Sequence, residues 1–485
     1  MILENILITG IAAEGKALAL VNGKVLFVPQ AIPGDLVDVQ ITHTKKSFME
    51  GRLLRLRHPS TDRIPPFCPH FGDCGGCKWQ ALPYDLQLKY KQQQVYDQLT
   101  RIGKLEIPAL LPIIGSQKTR EYRNKLEFTF SNRCWINREA FESSAGPVLT
   151  QQSALGFHVS GFFDKVLEIN RCYLQPEPSN AIRLSIKSFA QEHNYSFFDL
   201  KAQTGFLRTL MIRTATTGQV MVVLAFSYED IEKRTALLDY LMEQFPSITS
   251  LMYVINEKRN DSFEGLEVLP YRGTAFIMEQ MESFRFKIGP KSFYQTNSDQ
   301  AYQLYRVVRD FAGGRGCERI YDLYTGTGTI ALFLSPYAKE VIGIEYVTEA
   351  VADARENADI NGISNCRFYA GDIRKILNRD FINQQGNPDL VVVDPPRVGM
   401  HPDVLQTILS AAPLKIIYVS CNPATQARDV EMLSSQYFVK AVQPVDMFPH
   451  THHVENVMLL HKKRRKLPNP LDSFHTHYLN KPKPY

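Results

Sequence analysis

Apolar and polar residues alternate in short bursts over residues 1 to 60: K-A-L-A-L-V, N-G, K-V-L-F-V-P, then P-G-D ahead of L-V-D-V-Q-I. A period of two marks half-buried strands, Asn22-Gly23 is a strong two-residue hairpin signal, and Pro33-Gly34-Asp35 marks another turn. The pattern predicts a small β-barrel of the oligonucleotide-binding (OB) type. From Pro83 to Gly103 the period lengthens, and Y-D-L-Q-L-K-Y-K-Q-Q-Q-V-Y-D-Q-L predicts a helix with Leu86 and Tyr90 on one face. R-E-Y-R-N-K-L-E-F-T-F then predicts a strand whose Arg120, Arg123, Lys125, Phe128 and Phe130 interleave basic and aromatic side chains, either to meet phosphates and stack on bases or as an amphipathic strand with a charged outer face. Residues 150 to 290 look α+β, with a long hairpin through L-R-T-L-M-I-R-T, T-T-G-Q and V-M-V-V-L-A-F.

Beyond a boundary near Ile288 the chain alternates strand and helix. A helix is predicted over Ser298–Phe311; R-I-Y-D-L-Y then runs into T-G-T-G-T, V-I-G-I-E ends in Glu345, and C-R-F-Y-A-G-D ends in Asp372. D-L-V-V-V-D-P-P-R delivers Asp394, and K-I-I-Y-V-S-C-N-P delivers Cys421. Apolar, β-branched runs that stop abruptly in polar or rigid residues are buried parallel strands, and the alternation predicts a doubly wound, Rossmann-like α/β sheet. Ligands of such sheets sit beyond the carboxyl ends of the strands, so an acid and a thiol would share one pocket.

The expected organisation is therefore multi-domain: an OB-like barrel over 1–60, an α+β central domain over 61–287 against whose catalytic neighbour the helix 83–103 packs, an α/β domain over 288–466, and a flexible tail over 467–485. A length of 485 residues with 44% apolar and 22% charged residues suits that division and excludes wholesale disorder. The start lacks a signal-peptide pattern and no apolar run nears membrane-spanning length, so the expectation is a soluble cytoplasmic protein with no membrane and no obligate protein partner. A net charge of +5 says little about partners. The distribution says more: Lys45, Lys46, Arg52, Arg55 and Arg57 make one side of the barrel basic, and Lys462 to Lys466 are five basic residues in a row.

Cys68, Cys74 and Cys77 fall at spacings of six and three in C-P-H-F-G-D-C-G-G-C, whose glycines let a loop wrap closely around a centre. Cys172, in R-C-Y-L-Q-P, is the best fourth candidate. Four thiolates suit structural zinc or an iron–sulfur cluster, and three plus one distant cysteine is the commoner arrangement for a cluster. Cys134, Cys317 and Cys366 lack that context and read as packing residues. Gly326-x-Gly328-x-x-Ala331 followed by Glu345 satisfies the dinucleotide fingerprint. Four acids at successive strand ends, Asp322, Glu345, Asp372 and Asp394, would however repel a pyrophosphate and suit a cationic cofactor such as S-adenosyl-L-methionine.

These motifs, with F-Y-Q-T-N and F-P-H-T-H-H-V-E-N-V, resemble those of the bacterial RNA uracil-5-methyltransferases, most closely the iron–sulfur branch acting on 23S ribosomal RNA. The resemblance spans nearly the whole chain, and the barrel looks like a TRAM domain. It implies that Cys68, Cys74, Cys77 and Cys172 hold a 4Fe-4S cluster, that Cys421 is the nucleophile and Glu455 the base, and that Gln295, Tyr324, Glu345, Asp372 and Asp394 line the methyl-donor site. His452 stands where the family pattern has glycine. The chemistry fits the residue types: a soft thiolate can add to uracil C6 and later leave, and a carboxylate can take the C5 proton. His450, His452 and His453 read as loop hydrogen-bonders or RNA contacts rather than metal ligands.

Rival readings are a tRNA uracil-5-methyltransferase, a radical methylthiotransferase, an amino-group methyltransferase and a non-catalytic RNA-binding ribosome assembly factor. Cysteine spacing and domain order disfavour the second, and Arg397 after D-P-P disfavours the third.

Overall fold

In the computed structural model, which describes residues 1–136, 153–159, 161–314 and 316–464, the alternating N-terminal pattern forms six strands. These are β1 (Ile2–Leu7), β2 (Gly10–Ile11), β3 (Ala17–Val21), β4 (Lys24–Val28), β5 (Leu36–Thr44) and β6 (Phe48–His58), in the order β1-β5-β6-β4-β3-β2. Consecutive segments β1 and β2 pair with β5 and with β3, so the start of the chain closes the sheet on itself. Closure leaves few unpaired edges. The β3–β4 turn falls at Asn22-Gly23, both at positive φ (50° and 76°), as a two-residue hairpin turn demands.

The helix Tyr84–Arg101 follows. Its most buried positions are Gln87, Lys91, Val95 and Leu99, every fourth residue, whereas Leu86 and Tyr90 are only half-buried, against Ile32, Ala81 and Leu82. Two polar residues thus lie deeper than the apolar pair from which the inner face is predicted, because they meet polar partners described below.

The central region builds a seven-stranded sheet from β7 (Lys125–Ser131), β8 (Ala154–His158), β9 (Val166–Glu168), β10 (Leu207–Thr214), β11 (Val220–Phe226), β12 (Ile248–Ile255) and β13 (Leu269–Gly273), ordered β13-β12-β11-β10-β7-β8-β9. Helices Ser179–Glu192 and Ile231–Gln244 share one core with it, and there the expectation for the basic-aromatic strand needs correction. Phe128 and Phe130 are wholly buried in that core, unable to stack on a base. They alternate onto the helix-covered face of an interior strand, where aromatic rings bury the most apolar area. Arg120 and Arg123 precede the strand, and the Arg120 guanidinium lies 3.9 Å from the centre of the Phe67 ring.

A hairpin, β14 (Ile277–Met281) and β15 (Phe284–Ile288), leads into the last sheet and docks on the helix Thr348–Ile360 through Lys287 and Glu356 (2.7 Å). That sheet comprises β16 (Cys317–Leu323), β17 (Ala338–Glu345), β18 (Cys366–Ala370), β19 (Leu390–Val393), β20 (Lys415–Ser420), β21 (Tyr437–Val445) and β22 (Glu455–Lys462). The order is β18-β17-β16-β19-β20-β22-β21, parallel from β18 to β20 and closed by antiparallel β22 and β21. Continuous apolar strands such as Leu390–Val393 are buried at every position, as a sheet covered on both faces requires. Val95 and Leu99 join the core on one face of this sheet, beside Ala427 and Val430 of the helix Pro423–Leu433. No helix among the described residues is long and apolar enough to cross a membrane. The tail 467–485 and the end of the basic run lie outside the described residues.

Candidate active site and thiol cavity

Two strand ends define the centre of the site. After Val393 the sequence Asp394-Pro395-Pro396 ends the ladder, since proline offers no N–H. After Ser420 the chain turns into the helix Pro423–Leu433, with proline at its first position and the Asn422 side chain accepting the Ala424 N–H (3.2 Å). Cys421 is thereby fixed at the switch from strand to helix. The Arg397 carbonyl accepts from Asn422 Nδ2 (3.0 Å) and Thr425 Oγ1 (3.2 Å), tying the D-P-P-R and S-C-N-P loops together. Glu455 opens β22, and because Ser420 pairs with Asn456, the residue after one meets the residue before the other. Nucleophile and acid candidates are cross-strand neighbours.

The electrostatics follow from burial. Glu455 is 5% exposed. Burial, then the Asp394 charge, push its carboxyl up to about 8, with Arg397 opposing. Burial, then Glu455 and Asp394, push the Cys421 thiol up to about 11, while the charge and hydrogen bond of Arg397 pull it back. Burial and Asp322 raise Asp394 to about 7, and burial raises Asp322 to about 7 despite the Thr325 hydroxyl at 2.6 Å. Tyr305 lies buried on the helix Ser298–Ala312, its hydroxyl raised by burial and by the charges of Asp394, Asp322 and Glu455. Sequence reasoning missed Tyr305, whose helical spacing signals only core. It also missed Arg397, for which D-P-P-R was the available signal.

The other donor-site candidates surround this crevice. Glu345 accepts from the N–H groups of Gly326 (3.1 Å) and Val347 (3.0 Å). Gly328, at φ +80°, lies so close to the helix Thr348–Ile360 that an added Cβ would come within 3.0 Å of Ala354 Cβ. Tyr324, at φ +65°, starts that loop, and Gln295 is buried with its carbonyl accepting from Asn124 Nδ2 (2.9 Å). Asp372 differs from the rest: the Arg374 guanidinium grips its carboxylate at 3.0 Å from Nε and holds it down at about 2.

A cationic methyl donor fits these residues. Asp322 Oδ1 is buried without a hydrogen-bond partner, although the Ala331 N–H lowers the carboxyl's pKa. Buried carboxyls that repel one another gain most from a nearby positive charge.

The four candidate thiols converge. Cys68, Cys74, Cys77 and Cys172 line one cavity of about 530 Å³ together with Arg123 and Lys125. Burial, then neighbouring thiols, push Cys77 up to about 12; burial pushes Cys74 up to about 11. Thiols so perturbed are protonated unless a metal displaces the protons. Among the described residues no three His, Cys, Asp or Glu side chains stand in position around a single ion. A cluster of several irons spreads its thiolates wider than one ion does, and the all-sulfur donor set lining this cavity fits such a group.

The three histidines are loop elements. Burial pushes His450 and His453 down to about 4 and His452 to about 3, so all are neutral at pH 7. His452 Cβ would lie 2.7 Å from a Cβ added at Gly15, so the loop abuts the barrel at the position where the family pattern has glycine.

Two segments of the chain match known families. The model of the TRAM domain matches residues 4–54, and that of the tRNA (Uracil-5-)-methyltransferase family matches residues 274–463. A Bacteroides thetaiotaomicron protein described as an uncharacterized RNA methyltransferase is 55% identical, covering 93% of this chain and 99% of the relative. One from Chlorobaculum tepidum is 38% identical, over 88% and 89%. The crystal structure of Pyrococcus abyssi tRNA (uracil-54, C5)-methyltransferase in complex with S-adenosyl-L-homocysteine superposes with a TM-score of 0.73 at 28% identity, covering 94% of this chain and all of that one.

Proposed function

The chain belongs to the S-adenosyl-L-methionine-dependent RNA (uracil-5-)-methyltransferase family, and from that premise we propose that it forms 5-methyluridine in 23S ribosomal RNA, with Cys421 as nucleophile and Glu455 as base. The observation that carries the assignment of roles is the convergence of Cys421, Glu455 and Asp394 in one buried crevice.

Uracil C5 is too weak a nucleophile to react unaided. The Cys421 thiolate adds to C6, and the electron pair of the C5–C6 double bond becomes an enolate. When bound, the donor would supply an electrophilic methyl on a sulfonium; C5 would take that methyl as the sulfur–methyl bond breaks, its electron pair staying on the neutral thioether that leaves. Glu455 then takes the C5 proton, the pair left behind re-forms the double bond, and the C6–sulfur bond breaks to release Cys421. Arg397 favours the thiolate at the start and again as leaving group. Asp322 and Asp394 face the donor's positive charge, and Gln295, Tyr324 and Glu345 complete its site. Asp372, already held by Arg374, has the weakest claim among the residues assigned to the donor.

An enzyme working on a base must take it out of its stack, so the barrel and the basic segments grip folded RNA around one extruded uridine. The thiol cavity suits a 4Fe-4S cluster that fixes the fold of the central region. Protein prepared without oxygen is expected to contain iron and sulfide in equal amounts with a visible absorption band; stoichiometric zinc would overturn the cluster.

Both reacting groups must shed protons that burial makes them keep. The ordinary carboxyl would be ionised throughout pH 6–9, but Glu455, raised to about 8, is protonated and idle below that value, and Cys421, near 11, stays mostly protonated across the range. The expected kcat/KM therefore climbs from pH 6 to 9, by about tenfold per unit wherever one group limits. A flat profile would remove both from their roles.

Transfer RNA is the second reading, favoured by the substrate of the archaeal structural relative. Total RNA from a strain lacking this gene, incubated with enzyme and labelled donor and then mapped by mass spectrometry, separates the two. New 5-methyluridine in 23S RNA supports the first; the same product confined to transfer RNA supports the second; none in either rejects both.

A further inference from the structure

The loop from Asp446 to His450 joins β21 to the segment leading to Glu455, and each of its carbonyls is held from outside the loop. Asp446 O accepts from Gln300 Nε2 (2.8 Å), Met447 O from Asn297 Nδ2 (2.9 Å) and Phe448 O from Lys91 Nζ (3.0 Å). Pro449 O accepts from Tyr122 Oη (3.0 Å), and His450 O from the N–H groups of Lys78 (2.8 Å) and Trp79 (3.0 Å). His450 sits at φ +65°, a strained conformation for a residue with a side chain, and its N–H donates to Gln87 Oε1 (2.8 Å). The Gln87 amide nitrogen is itself anchored on the carbonyls of Trp79 (3.0 Å) and Leu82 (2.8 Å). One helical turn further, Lys91 Nζ donates to Asp446 Oδ1 (2.6 Å), both side chains fully buried, while Asp446 Oδ2 accepts from Tyr84 Oη (2.7 Å).

We propose that Gln87 and Lys91, both on the helix Tyr84–Arg101, are positioning residues that set the loop ahead of Glu455 and so control the proton-removal step. The inference rests on Glu455 being the base. Attachment alone needs no buried charge, since Val95 and Leu99 dock the same helix with apolar contacts. A buried ion pair is a poor source of stability compared with apolar residues, but its directional bonds fix one register where grease would allow several. Gln87 and Lys91 occupy the stretch of the helix that faces the loop, and they are buried polar residues with a hydrogen-bond partner in that loop. The base is therefore set by a helix from the N-terminal part of the chain, outside the matched catalytic residues 274–463.

In the affected step the C5–H bond breaks, its proton passes to the Glu455 carboxylate, its electron pair forms the C5–C6 double bond, and the C6–sulfur bond returns its pair to Cys421. A displaced Glu455 stops this step while leaving addition and methyl capture intact. Methylated uridine then stays bonded to Cys421.

The test compares Gln87→Met and the double variant Lys91→Met/Asp446→Asn, which removes both charges and leaves none orphaned, with wild type and Glu455→Gln. Each is incubated with S-adenosyl-L-methionine and total RNA from the deletion strain. The expected result is donor affinity within twofold of wild type, turnover at least tenfold lower, and a denaturation-resistant RNA adduct that accumulates as it does with Glu455→Gln. Unchanged turnover overturns the proposal. Loss of turnover together with donor binding, or without adduct, also overturns it, because a merely structural role predicts that. If Glu455→Gln accumulates no adduct while wild type methylates the RNA, the base assignment itself has failed and this inference with it.

Discussion

Cys421→Ala will lose RNA methylation by a factor on the order of 10³ or more, the scale on which a covalent nucleophile acts, while still binding the methyl donor. The serine-capped strand end, the Asn422 cap and the Pro423 helix start do not involve the half-buried thiol, so the variant keeps its fold. Wild type should also form a denaturation-resistant adduct with 5-fluorouridine RNA, because fluorine at C5 leaves no proton for Glu455 to remove, and the alanine variant should form none. Equal incorporation of labelled methyl by both proteins would end the role of Cys421, whereas incorporation by neither would favour the non-catalytic assembly-factor reading.

Glu455→Gln will lower turnover by about 10²- to 10⁴-fold, the range for a positioned general base. Its signature differs from that of the thiol variant: the adduct with ordinary uridine RNA builds up instead of disappearing. Glutamine also copies the neutral carboxyl that burial imposes below pH 8, so no thermal stability should be lost there. A raised carboxyl pKa means that the folded state gains from holding the proton; the gain is full below the ordinary carboxyl value of 4.5 and is lost as pH rises from there through about 8. The variant, which carries no titrating group there, should therefore show a smaller decline in melting temperature than wild type from pH 5 to 8.

Much of the C-terminal architecture was legible because its signals are local. Leu390–Val393 and Lys415–Ser420 are β-branched runs of strand length that end in proline, cysteine and asparagine, and nothing in their environment contradicts that pattern. The hairpin at Asn22-Gly23 declared itself by two residues alone. Phe128 and Phe130 misled because a strand shows which residues share a face but not which face is covered; the helices Ser179–Glu192 and Ile231–Gln244 decide that, and they begin about 50 and about 100 positions later. Gln87 and Lys91 were invisible for the opposite reason. A polar residue on an amphipathic helix is assigned to solvent unless its buried partner is known, and Asp446 and His450 come more than 350 positions later. Arg397 was noticed only as a departure from another family's motif, since its value lies in the distance to Cys421 and not in its neighbours.

The pairing of Ser420 with Asn456 brings the backbone positions of Cys421 and Glu455 together through the ladder of two adjacent antiparallel strands, to which the anchored loop ahead of Glu455 adds the aim of the carboxylate. Along a strand the side chains flip with every residue. A one-residue insertion or deletion within β20 or β22 would turn one member of the pair to the opposite surface, so changes of length are expected in the barrel and the surface loops and not in these two strands.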